Sequence, residues 1–260
     1  MHLSLETAST VIVNFKYLNG VSCLLLSGAS CVLVVSNIDL RTNAPITKPS
    51  AFLKSSVRDF ILNVNNDYRY MKTGYYVSLH AEILGNSVVP TTENAIDAYR
   101  LPVLLVRASK NGTPVMSHLV TDSVKQIMAE FNFPVIVFAV NPFSFNGFQT
   151  AKNRTALYRA VKSLSMNYRY AVCAQPLYSE ILQVKSFFGE CSIEDDGVRE
   201  IAKKVYETFK IPICKLLLQR FDGEAYLCGL QPLKMEEILP SDVDMISKIV
   251  SRRTGKGWFD

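Results

Sequence analysis

Residues 61–90 read ILNVNNDYRYMKTGYYVSLHAEILGNSVVP. Ile61 to Val64 form an apolar run of strand length, and the polar Asn65-Asn66-Asp67 ends it. Tyr76, Leu79, Ile83 and Leu84 then recur at helical spacing, with Gly85 placed to close the helix. Val88-Val89-Pro90 supplies the next strand. Strand, helix and strand in that order predict a parallel α/β layer, because the crossover helix packs back onto the sheet it leaves.

Toward the N-terminus, residues 10–15, 21–26 and 31–35 are short apolar runs separated by the turn signals Asn19-Gly20 and Ser27-Gly28, which predict strands. Residues 41–49 read as a loop leading into a short helix over 51–59. Toward the C-terminus, Val124, Ile127, Met128 and Phe131 mark a helix face, and residues 134–140 form an apolar strand of the kind covered on both faces. A helix on Leu157, Val161 and Leu164 leads to a strand at 170–174. Val198, Ile201, Ala202, Val205 and Phe209 define an amphipathic helix, followed by strands at 213–219 and 225–230 joined across Asp222-Gly223. A last helix is predicted from Ser241, with Asp242 and Asp244 suiting its N-terminal dipole.

Composition excludes several classes. With 48% hydrophobic and 20% charged among 260 residues, the chain can bury a sizeable core in two or three units. The net charge of +5 is spread along the sequence with no Lys/Arg block, which argues against nucleic acid as a partner. Cys23, Cys31, Cys173, Cys191, Cys214 and Cys228 show no zinc or redox spacing and mostly lie in apolar runs, as in a reducing, cytoplasmic compartment. Glu6 and the lack of a cationic region before the first apolar run argue against a secretory leader. Residues 21–35 fall short of the roughly 20 needed to span a bilayer, so no membrane association is expected.

Several segments resemble a known family. Asn66-Asp67-Tyr68-Arg69-Tyr70, with Gly74-Tyr75-Tyr76-Val77-Ser78-Leu79 and Ala81-Glu82, resembles the N-terminal α/β domain that precedes some RimK-like ATP-grasp domains. Asn94-Ala95-Ile96 is similar to the entry into the central domain, and Gly112-Thr113-Pro114-Val115 to its Gly-x-Pro-x-Pro segment. Phe133 to Val137 looks like the strand that ends in lysine and proline in active members. Residues 171–175 resemble the strand into the adenine hinge, and Asp222-Gly223-Glu224-Ala225-Tyr226 the hairpin before the metal-binding strand. The resemblance implies an α/β fold: an N-terminal α/β (pre-ATP-grasp-like) domain over 1–93, then a shortened, two-lobed α+β ATP-grasp-like domain over 94–260.

The departures from the family set the functional expectation. ATP-grasp chemistry makes an acyl phosphate, so its site must neutralise a triphosphate with lysines and with magnesium held by hard oxygen ligands. By the resemblance, Phe138 stands in place of the strand lysine, with Ala139 in place of proline. Asn141 to Gly147 keeps one glycine where the phosphate loop needs several. Leu217 stands in place of the first metal carboxylate, and Gly229 and Gln231 in place of the glutamate and asparagine. Losing one preorganised electrostatic group typically costs a rate factor of about 100 to 1,000, so losing several leaves no useful ligase.

The expectation is therefore a catalytically degenerate homologue, with no catalytic and no metal residues, acting as a binding, scaffolding or regulatory protein with itself or an intact ATP-grasp ligase. Tyr68, Arg69, Tyr70, Tyr75 and Tyr76 are the candidate ligand-binding cluster, since a guanidinium among aromatic faces suits a carboxylate or phosphate. The same aromatics could instead cement the first helix to its sheet. Ala174, Gln175 and Lys152 are candidates for residual nucleotide binding. The alternative is an ATP-dependent carboxylate-amine ligase using ATP and magnesium, with Lys125, Lys152 or Lys185 and Glu194-Asp195-Asp196 supplying charge. His80 fits a structural role, and His118 lacks the elbow a hydrolase needs.

Overall fold

Residues 61–90 form the strand, helix and strand of a parallel layer, as their sequence predicts. In the computed structural model, which describes residues 32–140 and 147–256, strands β1 (Val32–Ser36), β2 (Ile46–Thr47), β3 (Phe60–Val64) and β4 (Val88–Val89) form a parallel sheet in the order β2-β1-β3-β4. The strands expected at 10–15 and 21–26 lie outside the described residues. Helix α1 (Pro49–Phe52) is shorter than the predicted 51–59, and α2 (Thr73–Ile83) crosses between β3 and β4. Gly85 closes α2 in a left-handed conformation, φ +77°, as expected.

The buried face of α2 differs from the predicted one. Gly74, Val77, Ser78 and Ala81 face the sheet, while Tyr76 and Ile83 are exposed. Small residues win because the preceding loop crowds the helix start: a Cβ on Gly74 would stand 2.6 Å from the Asp67 carbonyl oxygen and 2.9 Å from the Tyr68 ring. Close approach lets Asn63 donate to the Gly74 carbonyl and to Ser78 Oγ, which satisfies a buried amide. His80 has the structural role foreseen for it, its ring bonding the Ser55 carbonyl and meeting Phe52 edge-on.

Helices α3 (Thr92–Ala98) and α4 (Leu101–Lys110) lead into an antiparallel sheet of β5 (Leu119–Thr121), β6 (Val135–Ala139), β7 (Phe148–Ala151) and β8 (Val172–Pro176), in the order β5-β8-β6-β7. β6 is covered on both faces, as its unbroken apolar sequence requires. Val135 and Val137 pack with α5 (Val124–Glu130) and α6 (Arg154–Leu164), while Ile136 and Phe138 join the central core.

A third sheet, β11-β10-β9, is also antiparallel and comprises β9 (Leu182–Phe187), β10 (Ile213–Phe221) and β11 (Glu224–Gln231). Asp222 (φ +49°) and Gly223 (φ +81°) make the predicted two-residue turn between β10 and β11. Helix α7 (Asp196–Phe209) buries Val198, Ile201, Ala202, Val205 and Phe209, the face its periodicity marked. A short 3-10 turn (Met235–Glu237) and α8 (Pro240–Lys256) complete the described chain. All the described residues fall in one compact unit, and none of their helices is long and apolar enough to cross a membrane.

Candidate functional site

A cavity of about 400 Å³ opens between the two antiparallel sheets and the start of α4. Phe138 and Ala139 reach it from the end of β6, Leu217 from β10, and Gly229, Leu230 and Gln231 from β11. Pairing puts Leu217 directly opposite Gly229 and Lys215 opposite Gln231, so the four share one face of the hairpin. The register shifts between Leu217 and Leu218, just beyond this row.

The floor is apolar. A Cβ built on Gly229 would lie 3.4 Å from Phe138 Cε1 and 3.5 Å from both Leu101 Cδ1 and Leu217 Cδ1. Leu217 is 1% exposed and Phe138 4%, and the Phe138 ring tilts against Phe148 at 5.5 Å between centroids. Gln231 leans over the opposite wall, its amide nitrogen 2.7 Å from where a Cβ on Gly147 would be. The positions that the resemblance gives to the strand lysine and the metal carboxylates thus converge, and they do so as a hydrocarbon cluster. Among the described residues no three His, Cys, Asp or Glu side chains gather into a possible metal site.

The rim is cationic. Arg69, Arg100, Lys215 and Lys234 all line the cavity. The Arg69 guanidinium donates through Nε and Nη2 to both oxygens of Asp67, at 3.0 and 2.7 Å, and this bond raises its pKa against partial burial. Lys215, only 8% exposed, donates to Glu237 Oε1 at 2.6 Å. Burial pushes the Glu237 carboxyl up, but bonds from Lys215 and the Lys234 backbone prevail and leave its pKa lowered. Tyr99 also lines the cavity; burial pushes its phenol well above the ordinary value, and its hydroxyl has no hydrogen-bond partner.

The predicted cluster divides. Tyr68 is fully buried, its hydroxyl donating to the Asn63 carbonyl and accepting from the Asn65 N–H, so it belongs to the scaffold and not to a ligand surface. Arg69 and Tyr70 face the cavity, whereas Tyr75 and Tyr76 continue an edge-to-face row from Tyr70 along α2 without lining it. Arg69 is pinned by Asp67 yet 39% exposed. The nucleotide candidates lie elsewhere. Ala174 is buried between paired strands, and Gln175 is buried with its amide donating to the Cys228 carbonyl. Lys152 is exposed after β7, and Ala151, Val135 and Pro176 share one row of the sheet, which sets Lys152 about 10 Å from the end of β8.

The charges invoked for a divergent ligase are not brought together either. Lys185 is not a free surface charge: it donates to the Glu237 carbonyl and to Asp242, tying β9 to the start of α8. Asp195 caps α7 and pairs with Arg220, Asp196 pairs with Arg199, and Lys125 is exposed on α5. None of these lines the cavity. The loop 141–146 lies outside the described residues. Sequence reasoning missed Tyr99, Arg100, Lys215 and Lys234; a lysine inside the apolar run Ile213 to Leu218 was the one available signal.

No curated protein matches the chain significantly. Solved structures share its fold. The RimK domain ATP-grasp protein from Sphaerobacter thermophilus DSM 20745 superposes with a TM-score of 0.60 at 14% identity, covering 84% of this chain and 99% of that one. The ATP-grasp ligase PsnB complexed with minimal precursor gives 0.59 at 12% identity, over 88% and 100% of the respective chains. D-alanine-D-alanine ligase from Helicobacter pylori gives 0.54 at 15%, over 75% and 72%. At such identities the likeness establishes the fold alone, but the sequence itself matches the family described as RimK-like ATPgrasp N-terminal domain over residues 48–138 and 144–248, most of its length. The chain belongs to the RimK-like ATP-grasp N-terminal domain family.

Proposed function

We propose that this protein is an ATP-grasp homologue without ligase activity, which acts by binding through its cleft in a scaffolding or regulatory role, with itself or with an intact ATP-grasp ligase as partner. The observation that carries the reading is the packing of Phe138, Leu217 and Gly229 with Leu101 on the floor of the cleft. Magnesium needs oxygen ligands in near-octahedral array, and a transferring phosphoryl group needs fixed positive charge beside it. A phenyl ring, an isobutyl group and a glycine supply neither. The cationic rim supports a binding use for the cleft, since Arg100 and Lys234 line it without a close ion-pair partner among the described residues.

The test is ADP release from magnesium-ATP, followed by a coupled assay against a panel of amino acids and small carboxylates. No rate above the protein-free background is expected. Sustained magnesium-dependent ADP release that needs an acceptor would overturn the reading.

A further inference from the structure

We infer that the cleft takes a small amphipathic anion, one carboxylate or phosphate head on an apolar body, and holds it without a metal ion. The inference rests on the non-catalytic reading of the same cleft and gives it a ligand class. Of the four rim cations, Arg69 and Lys215 are each neutralised by a close carboxylate, Asp67 and Glu237. Lys234 has Glu236 at 3.9 Å, both side chains more than two-thirds exposed, and its other acidic neighbour, Glu237, is already held by Lys215, so it carries no strong ion pair. Arg100 is exposed and makes no ion pair among the described residues. Arg100 and Lys234 therefore leave positive charge uncompensated at the cavity mouth, enough for a head of one or two charges. A metal-free triphosphate would remain under-neutralised there.

The second observation is the floor. Phe138, Leu101 and Leu217 offer a hydrocarbon surface in the same cavity as the cations, and a cavity of about 400 Å³ is of ordinary small-ligand size. An apolar body on that floor with its head at Arg100 and Lys234 would satisfy both features at once.

The experiment is isothermal titration in EDTA with hexanoate and hexyl phosphate, against acetate, inorganic phosphate and hexylamine. Hexanoate or hexyl phosphate should bind at least about tenfold more tightly than each control, the stronger of the two identifying the head. The double variant Arg100→Ala/Lys234→Ala alters two exposed side chains, so it should keep its unliganded melting temperature and lose about tenfold in affinity. Failure of both six-carbon anions to bind at millimolar concentration, binding no tighter than acetate or hexylamine, or an undiminished affinity in the double variant would overturn the inference. The two readings fail separately, since ADP release ends the first and absent metal-free binding ends the second.

Discussion

Gly229→Glu would install the carboxylate that the family resemblance expects at this point of β11, and the geometry makes it a costly residue here. The Cβ alone is tolerable, at 3.4 Å from Phe138 Cε1 and 3.5 Å from two leucine methyls. A carboxylate beyond it would rise from that hydrocarbon floor, below the cations of the rim, and a buried charge left unpaired there costs roughly 3–5 kcal/mol. At about 2–4 °C per kcal/mol for a chain of this size, the melting temperature should fall by roughly 6–20 °C. Gly229→Ala separates shape from charge, and it should lie within about 1 kcal/mol of wild type. Burial raises the carboxyl pKa above the unfolded value near 4.3, so the penalty is full above the raised folded pKa and fades as pH falls through it. Urea unfolding of the three proteins at pH 7 and pH 4 measures both effects. If Gly229→Glu matches Gly229→Ala at pH 7 and binds magnesium, the floor is not the hydrocarbon cluster described and the non-catalytic reading loses its basis.

Arg69→Ala should lower stability by less than about 1 kcal/mol in urea unfolding, because the Arg69 end of its ion pair with Asp67 is 39% exposed, while weakening hexanoate binding measurably, because Asp67 is left without its cation beside the cavity. The lowered Glu237 pKa means that its ion pair with Lys215 stabilises the fold above the unfolded pKa near 4.3 and ceases to as pH falls through the folded value. Glu237→Gln should accordingly be less stable at pH 7 and flatter in its acid dependence, and an unchanged acid limb would refute that assignment. Burial pushes the thiols of Cys173, Cys214 and Cys228 up to about 12, so alkylation mapped by mass spectrometry should spare all three in the native protein and reach them only in denaturant. Half-exposed Cys191 should react first among the described cysteines.

The sequence by itself determined the kind and order of several elements. Unbroken apolar runs gave β3 and β6, five periodic residues gave the inner face of α7, and Asp222-Gly223 gave the turn of the β10–β11 hairpin, because each signal is local and its physics is complete within a few residues. The same locality misled at α2, where larger side chains suggested the wrong inner face. A helix shows its small residues to a sheet only when something presses it close, and here that is the Asp67-Tyr68 loop. It misled again at Tyr68, whose sequence does not reveal that Asn63 and Asn65 enclose its hydroxyl. The cleft was decided by tertiary structure. Arg69, Arg100, Phe138, Lys215, Gly229 and Lys234 come from distant parts of the chain and meet only because strand register sets Leu217 against Gly229 and the sheets pack across Phe138. Sequence could show which side chains the family's polar positions had lost. That hydrocarbon fills their place, with unpaired cations standing above it, depends on long-range packing that no local pattern encodes.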